Sequence, residues 1–197
     1  MKTKIVVDSS SNLYTLSGVD FACVPLKIVT DDGEYLDTAE LDAVGMAQTL
    51  RSYKGKTGTS CPNVADWLAA YEGAEEVFVV TITGTLSGSY NAACVGREMV
   101  LERSPEKKIH IFDSESASAG ETLIALMLRD RIDGGHSFED IVAEMTAFIA
   151  RMKTRFVLED LSNLVKNGRI SKVAGLLGGM LSLRPIMGDD GHGSIAA

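Results

Sequence analysis

The chain has 197 residues, of which 45% are hydrophobic and 23% are charged, and its formal net charge at pH 7 is −8. This composition is typical of a soluble globular protein, and it excludes collagenous, disordered and low-complexity chains. The acidic charge argues against general binding to nucleic acids or anionic membranes, although residues 151–197 are locally basic, with seven Lys or Arg against four Asp or Glu.

The N-terminus carries only a short apolar run between Lys4 and Asp8, which is not typical of a signal peptide. No segment has the apolar length of a membrane span. The three cysteines, Cys23, Cys61 and Cys94, show no CxxC spacing and have no neighbouring His, which indicates neither a disulfide framework nor a zinc site. We therefore expect a cytoplasmic protein with reduced thiols and no bound metal.

Continuous apolar runs alternate with helical patterns over the first 150 residues. Strands are predicted at 4–7, 21–30, 77–81 and 108–112, and Pro25 favours an edge or a bulge in the second of them. Helices are predicted at 41–53, 64–71, 90–100, 123–132 and 137–152. Apolar strands that are each followed by a helix indicate an α/β fold with a mainly parallel sheet sandwiched by helices.

The pattern changes after Lys153. It predicts a short strand at 156–158, a short helix at 161–166, an apolar helix at 170–183, and a hairpin whose strands lie at 184–187 and 194–197. A hairpin alone does not complete a sheet. We therefore predict an N-terminal α/β/α domain at 1–154 and, at 155–197, the start of a second α/β domain that is truncated.

Two turns rich in hydroxyl groups each lead into a predicted helix. One is Thr83–Gly88, which follows the 77–81 strand, and the other runs from Thr57 to Asn63. Hydroxyls, backbone N–H groups and the positive end of a helix dipole together form a site for an anion. The simpler interpretation is helix capping, by Ser87 or Ser89 in the first turn and by Ser60 or Asn63 in the second.

Several familiar catalytic motifs are missing from the sequence. The segment Gly84–Gly88 resembles a nucleophile elbow, but its serine is one position late and no His is placed by pattern to serve it. No Walker A motif is present, and no GxGxxG follows a strand. We therefore predict no catalytic residue.

Taken in order, five short motifs resemble those of the DegV family, the bacterial fatty-acid-binding proteins that carry lipid for a fatty acid kinase. They are Asp8-Ser9-Ser10, Thr59-Ser60-Cys61-Pro62, Leu86-Ser87-Gly88-Ser89-Tyr90, Asp113-Ser114 with Gly120, and Gly168-Arg169-Ile170-Ser171. Arg184-Pro185-Ile186 is similar to the Lys-Pro-Ile of the family. The matches run over essentially the whole chain.

This resemblance implies a two-domain protein that holds one long-chain fatty acid between its domains, with residues 155–197 beginning the domain that covers the lipid. It implies that Thr59, Ser60, Ser87 and Gly88 contact the carboxylate and that Arg169 lies near it or shapes the surface that faces the kinase. The protein would be a non-catalytic subunit without a cofactor, would present the lipid to a separate ATP-binding kinase, and would touch membranes transiently.

Two other functions fit the same residues. An enzyme or binding protein for a small phosphorylated metabolite would use the same cleft at the strand ends, because hydroxyl turns and a basic region also suit a phosphate. Alternatively, the chain is a structural interaction module whose polar turns only cap helices.

Overall fold

The computed structural model describes residues 2–170 and 185–196. Over these residues the chain forms ten strands and six helices, with a 3-10 turn at Ser9–Ser11. The strands are β1 (Thr3–Asp8), β2 (Asp20–Val24), β3 (Lys27–Thr30), β4 (Gly33–Leu36), β5 (Thr57–Ser60), β6 (Glu76–Thr81), β7 (Lys108–Asp113), β8 (Arg155–Val157), β9 (Ile186–Asp189) and β10 (Ile195–Ala196). The helices are α1 (Ala43–Ser52), α2 (Val64–Ala70), α3 (Ser89–Leu101), α4 (Ala119–Asp133), α5 (Phe138–Ile149) and α6 (Ser162–Lys166).

The central sheet has four parallel strands in the order β2-β1-β6-β7. In its middle strand pair Val6 lies opposite Val79 and Val7 opposite Val80, and all four side chains are fully buried. A parallel sheet buried on both faces explains why these strands are continuously apolar rather than alternating. The predicted α/β class with a mainly parallel sheet is confirmed.

Alternate residues of the central strands point into two separate cores. On one face Ile5, Val7, Phe78 and Val80 pack against α4 and α5. On the other face Val6, Val77 and Val79 pack against Trp67 of α2 and Ala93 of α3. The helices thus cover both faces of the sheet, and the carboxyl ends of β1, β6 and β7 meet at one edge.

Two smaller antiparallel sheets accompany the central one, in the orders β4-β3-β5 and β10-β9-β8. The predicted single strand at 21–30 is wrong, because it is divided between β2 of the parallel sheet and β3 of a small sheet, with Pro25 in the break. Proline has no N–H to donate, so the ladder cannot continue through it. The predicted hydroxyl turn is also partly wrong, since Thr57–Ser60 is strand β5, paired with β3.

The C-terminal hairpin is formed by β9 and β10, as the sequence predicts. The apolar helix predicted at 170–183 lies outside the described residues apart from Ile170. The domain boundary at residue 154 stays a prediction. Within the described ranges, no helix is both long and apolar enough to cross a bilayer.

Candidate functional site

The turn that follows β6 is held from both sides by carboxylates at the ends of its neighbouring strands. Asp8, the last residue of β1, accepts the Ile82 N–H on Oδ2 at 3.0 Å. Asp113, the last residue of β7, accepts the Gly84 N–H at 3.1 Å from Oδ2. Because β1 and β7 flank β6, their two acidic ends fix the backbone of the turn where it leaves the sheet.

Helix α3 begins directly after this turn, and its N-cap residue has no side chain that could cap it. Gly88 precedes the helix and provides no capping group, while the Ser87 Oγ accepts the Ser89 N–H at 3.2 Å. Ser89 does not cap the helix, since its buried hydroxyl donates to Asp8 Oδ2 at 2.5 Å. The positive end of α3 therefore faces the turn, in the arrangement that favours an anion.

The five predicted head-group residues lie on three segments, and the structure brings parts of all three together. Thr59 and Ser60 are exposed in β5, and a β-carbon built on Gly88 would lie 3.1 Å from Sγ of the neighbouring Cys61. On the third segment, Arg169 donates from Nε to the Leu86 carbonyl at 3.2 Å. The two hydroxyl segments and Arg169 thus converge on the start of α3.

Capping in the second segment is done by Asn63 and not by Ser60. The Asn63 side chain accepts the N–H groups of Ala65 and Asp66, and the Asp66 carboxylate accepts the Asn63 N–H, which forms a capping box. The Ser60 hydroxyl donates only to the adjacent Cys61 carbonyl, at 3.2 Å. Ser60 is thus not needed to start α2, and its exposed hydroxyl is accessible to a ligand.

A cavity of about 670 Å³ lies beside the same turn. Thr83 and Leu86 line it from the turn, and apolar side chains from α4, α6, β10 and the β8 region line much of the rest, among them Leu123, Met152, Phe156, Leu158, Leu164 and Ile195. None of the five predicted head-group residues is among the described residues that line it. The sequence reasoning missed this cavity, because its lining comes from segments distant in the chain.

The C-terminal hairpin closes onto the turn beside the cavity. The Thr85 hydroxyl donates to the Gly193 carbonyl at 2.5 Å. Gly193 has a φ of +79°, and a β-carbon there would overlap the Thr83 hydroxyl. Because Gly193 and Thr83 both line the cavity, this contact ties the C-terminal part of the chain to the site.

Backbone strain is concentrated in the loops around the site. In the described residues, the positive φ values outside glycine are those of Asn12 (58°), Glu115 (49°) and Ser118 (54°). They follow β1 and β7, and Glu115 and Ser118 line the cavity. Such strain is commonly retained where it serves a site.

A buried acid, Glu121, completes the group of residues that the sequence reasoning missed. It lies in the first turn of α4 and accepts the Ser118 N–H at 3.2 Å. Burial, followed by the nearby Asp8 carboxylate, raises the pKa of Glu121 well above its usual range. The Ser118-x-x-Glu121 spacing is a capping-box signal that would have predicted this helix start.

The described residues contain no group of three His, Cys, Asp or Glu side chains placed to hold a metal ion. His110 is half-buried in β7, where burial, with a smaller contribution from Arg97, lowers its pKa. The chemistry that the site presents is therefore that of hydroxyl, N–H and guanidinium donors beside an apolar cavity.

Comparison with known proteins identifies close relatives. The family model described as "Uncharacterised protein, DegV family" matches residues 2–195. A DegV domain-containing protein of Streptococcus pneumoniae is 41% identical over 190 residues, which cover 94% of this chain and 68% of the relative.

Two solved structures are similar over nearly the whole chain. The Streptococcus pneumoniae Fatty Acid Kinase (Fak) B3 protein loaded with linoleic acid has a TM-score of 0.95 and 40% identity, covering 99% of this chain and 71% of that one. A DegV family protein from Eubacterium eligens loaded with heptadecanoic acid has a TM-score of 0.94 and 35% identity, with the same coverage.

Proposed function

Since this chain belongs to the DegV family, we propose that it binds one long-chain fatty acid and presents it to a separate ATP-dependent kinase. The observation that carries this proposal is the apolar cavity of about 670 Å³ beside the turn that leads into α3. Ligand cavities of small molecules commonly have volumes of about 300–1,000 Å³. The similar structures loaded with linoleic and heptadecanoic acid support an acyl chain as the occupant.

The carboxylate is proposed to lie at the start of α3. Ser87 and Gly88 reach it from the turn, Thr59 and Ser60 from β5, and Arg169 from its position beside Leu86. Neutral hydroxyl and N–H donors bind a carboxylate without placing another negative charge against it, and Arg169 adds a charged donor. The acyl chain then enters the cavity past Thr83 and Leu86.

The kinase partner is proposed from the likeness to the Fak B3 protein. In this role the chain supplies no catalytic group and needs no cofactor, because phosphoryl transfer would be performed by the ATP-binding partner. Cytoplasmic location belongs to the same proposal, and transient membrane contact stays a prediction.

Binding is tested by titrating the delipidated chain with linoleic acid and by mass spectrometry of lipids extracted from the freshly purified chain. We expect saturable binding of one acid per chain and an extractable acyl chain. Phosphosugars and nucleotides should leave the melting temperature unchanged, whereas linoleic acid should raise it. The opposite ligand preference would favour the phosphorylated-metabolite alternative and contradict the proposal.

The position of the acyl chain is tested with a pair of adjacent substitutions. Leu158 lines the cavity, whereas its neighbour Val157 is 52% exposed and is not among the described lining residues. Leu158→Glu should weaken linoleic acid binding by about tenfold or more, because it places a charge against the apolar chain. Val157→Glu serves as the control and should leave binding unchanged, and equal effects would place the chain elsewhere.

The dependence of affinity on the length of the acyl chain is a second test that the acyl chain occupies this cavity. Each buried CH₂ contributes about 0.8 kcal/mol. Two more CH₂ groups should therefore tighten the dissociation constant by about fifteenfold until the cavity is filled. Calorimetry with saturated acids of increasing length measures this slope, and a flat series would show that only the head group binds.

A further inference from the structure

Two buried carboxyl groups meet beneath the proposed head-group turn. Asp8 ends β1 and Glu121 lies in the first turn of α4, and neither has any exposed surface. Between them stands the Ser10 hydroxyl, 2.6 Å from Asp8 Oδ1 and in short contact with Glu121 Oε1. Two acids thus converge on one hydroxyl group.

The donors around these acids are unequally divided. Asp8 accepts the N–H groups of Ser10 and Ile82, at 3.3 and 3.0 Å, and the hydroxyls of Ser10 and Ser89. Glu121 accepts the Ser118 N–H, while its buried Oε2 has no hydrogen-bond partner. Hydrogen-bond donors are thus concentrated on Asp8, and the carboxyl group with few donors is the one whose neutral form is favoured.

A serine hydroxyl carries a single proton and cannot donate to two carboxylates at once. With Ser10 Oγ–H donating to Asp8 Oδ1, the short contact between Ser10 Oγ and Glu121 Oε1 needs a proton on Glu121 Oε1. Glu121 then donates to Ser10, and Ser10 donates to Asp8. Glu121 is then neutral in the folded chain.

We propose that Asp8 is a positioning residue for the fatty-acid head group and that it acts through Ser89 and the Ile82 N–H. This inference rests on the proposed function. Neutral Glu121 holds the Ser10 hydroxyl in contact with Asp8. Asp8 does not touch the ligand in this arrangement. It fixes both ends of the turn that carries Ser87 and Gly88, since Ile82 precedes these residues and Ser89 follows them.

Besides burial, one titratable side chain of the described structure, Asp8 of β1, raises the pKa of Glu121. Glu121 in turn contributes to the raised pKa of Cys23, from β2. Burial, followed by Asp8, raises the pKa of the Cys23 thiol to about 12, so Cys23 stays neutral. β6 and α5, which also pack on α4, contribute apolar side chains to the core beside it.

The positioning role is tested by the affinity of the delipidated chain for linoleic acid. Asp8→Asn replaces one of the two accepting oxygens with an amide NH2 group that cannot accept, and it should weaken binding by about tenfold. Ser89→Ala should weaken binding by a similar factor while the chain remains folded, and Ser89→Thr, which keeps the hydroxyl, should restore it. Ser89→Ala keeps the test decisive if Asp8→Asn does not fold.

The proton on Glu121 is tested by a measurement that does not depend on ligand binding. Glu121→Gln removes the carboxyl group and leaves a neutral amide in its place. The infrared spectrum of the parent chain at pH 7 should contain a protonated carboxylic acid band that disappears in Glu121→Gln.

Each failure has a distinct meaning. If the parent chain does not bind linoleic acid, the proposed function and the positioning role are both overturned. The infrared band still shows whether Glu121 is protonated. If the parent chain binds and Ser89→Ala binds equally well, only the positioning role is overturned. An absent acid band, or an acid band that persists in Glu121→Gln, overturns the neutral Glu121.

Discussion

At the scale of single residues, acidic side chains build a site proposed to bind an acid. Asp8 and Asp113 hold the backbone N–H groups of Ile82 and Gly84, and so they act as anchors for the turn. The turn that carries Ser87 is thereby held at the start of α3, where the Ser87 Oγ accepts the Ser89 N–H. Hydrogen-bond donors of the fold thus contact the Asp8 and Asp113 carboxylates, which reduces the repulsion between these groups and a bound carboxylate.

The pH dependence of stability follows from Glu121. Its pKa is raised in the folded chain, first by burial and then by Asp8. The folded state therefore retains a proton that the unfolded state releases, and the free energy of unfolding falls as pH rises from the unfolded toward the folded pKa. One such proton contributes a slope of about 1.4 kcal/mol per pH unit.

Urea denaturation at a series of pH values from weakly acidic to weakly basic measures this slope. Glu121→Gln cannot ionise, so the stability difference between the two chains should shift in favour of the variant as pH rises. Parallel curves for the parent and the variant would show that Glu121 is ionised in the folded chain.

Gly120 is constrained by packing in the first turn of α4. A β-carbon there would approach the buried Ser116 Cβ to 2.6 Å, and Ser116 is itself fixed by a 2.7 Å bond between its hydroxyl and that of Thr154. Gly120→Ala should destabilise the chain by about 1–3 kcal/mol, despite the higher helix propensity of alanine. Gly58, which has nothing within 4 Å, is the control, and Gly58→Ala should be neutral or slightly stabilising in thermal unfolding.

At the scale of elements, the parallel strands could be predicted because burial on both faces leaves continuous apolar runs such as Val77–Val80. Strand β5 could not, since Thr57-Gly58-Thr59-Ser60 is largely exposed and held by backbone pairing to β3, which leaves no apolar signal. The hydroxyl turn after β6 was recognisable as local sequence. The cavity and the contact between Asp8 and Glu121 were not, because they join residues more than a hundred positions apart.

In the segment that leads into α2, helix capping and the proposed ligand binding belong to different residues. Asn63→Ala removes the capping box and should lower the free energy of unfolding by about 1 kcal/mol. Ser60→Ala should leave stability unchanged, because Ser60 bonds only to the next carbonyl, and under the proposed function it should weaken linoleic acid binding. Equal loss of stability in the two variants, measured by urea denaturation, would contradict this division of roles.

At the scale of the whole molecule, the site depends on segments from both ends of the chain. Asp8 lies near the N-terminus, and the β9-β10 hairpin near the C-terminus contacts the same turn through Thr85 and Gly193. The cavity is bounded by both, since Thr83 and Gly193 are among its lining residues. Ligand binding should therefore report on whether the hairpin is docked.

Two glycines of that hairpin allow the effect of lost docking to be measured apart from the effect of backbone strain. Gly191 and Gly193 both have positive φ, at +89° and +79°, so either Gly→Ala substitution costs about 1 kcal/mol in left-handed strain. At Gly191 a β-carbon meets nothing within 4 Å, whereas at Gly193 it would overlap the Thr83 hydroxyl and approach the Glu115 Cα to 3.3 Å. Gly193→Ala should therefore lose a further 1–3 kcal/mol or so of stability, or release the hairpin from the turn.

Release of the hairpin would open the cavity, so Gly193→Ala should also bind linoleic acid more weakly than Gly191→Ala, by about tenfold. Urea denaturation measures the stability of the two variants, and calorimetric titration measures their affinity for linoleic acid. Because both variants carry the same backbone strain, the difference between them reports the lost docking. If the two variants match in stability and affinity, the hairpin is not docked on Thr83, and the cavity is closed by other parts of the chain.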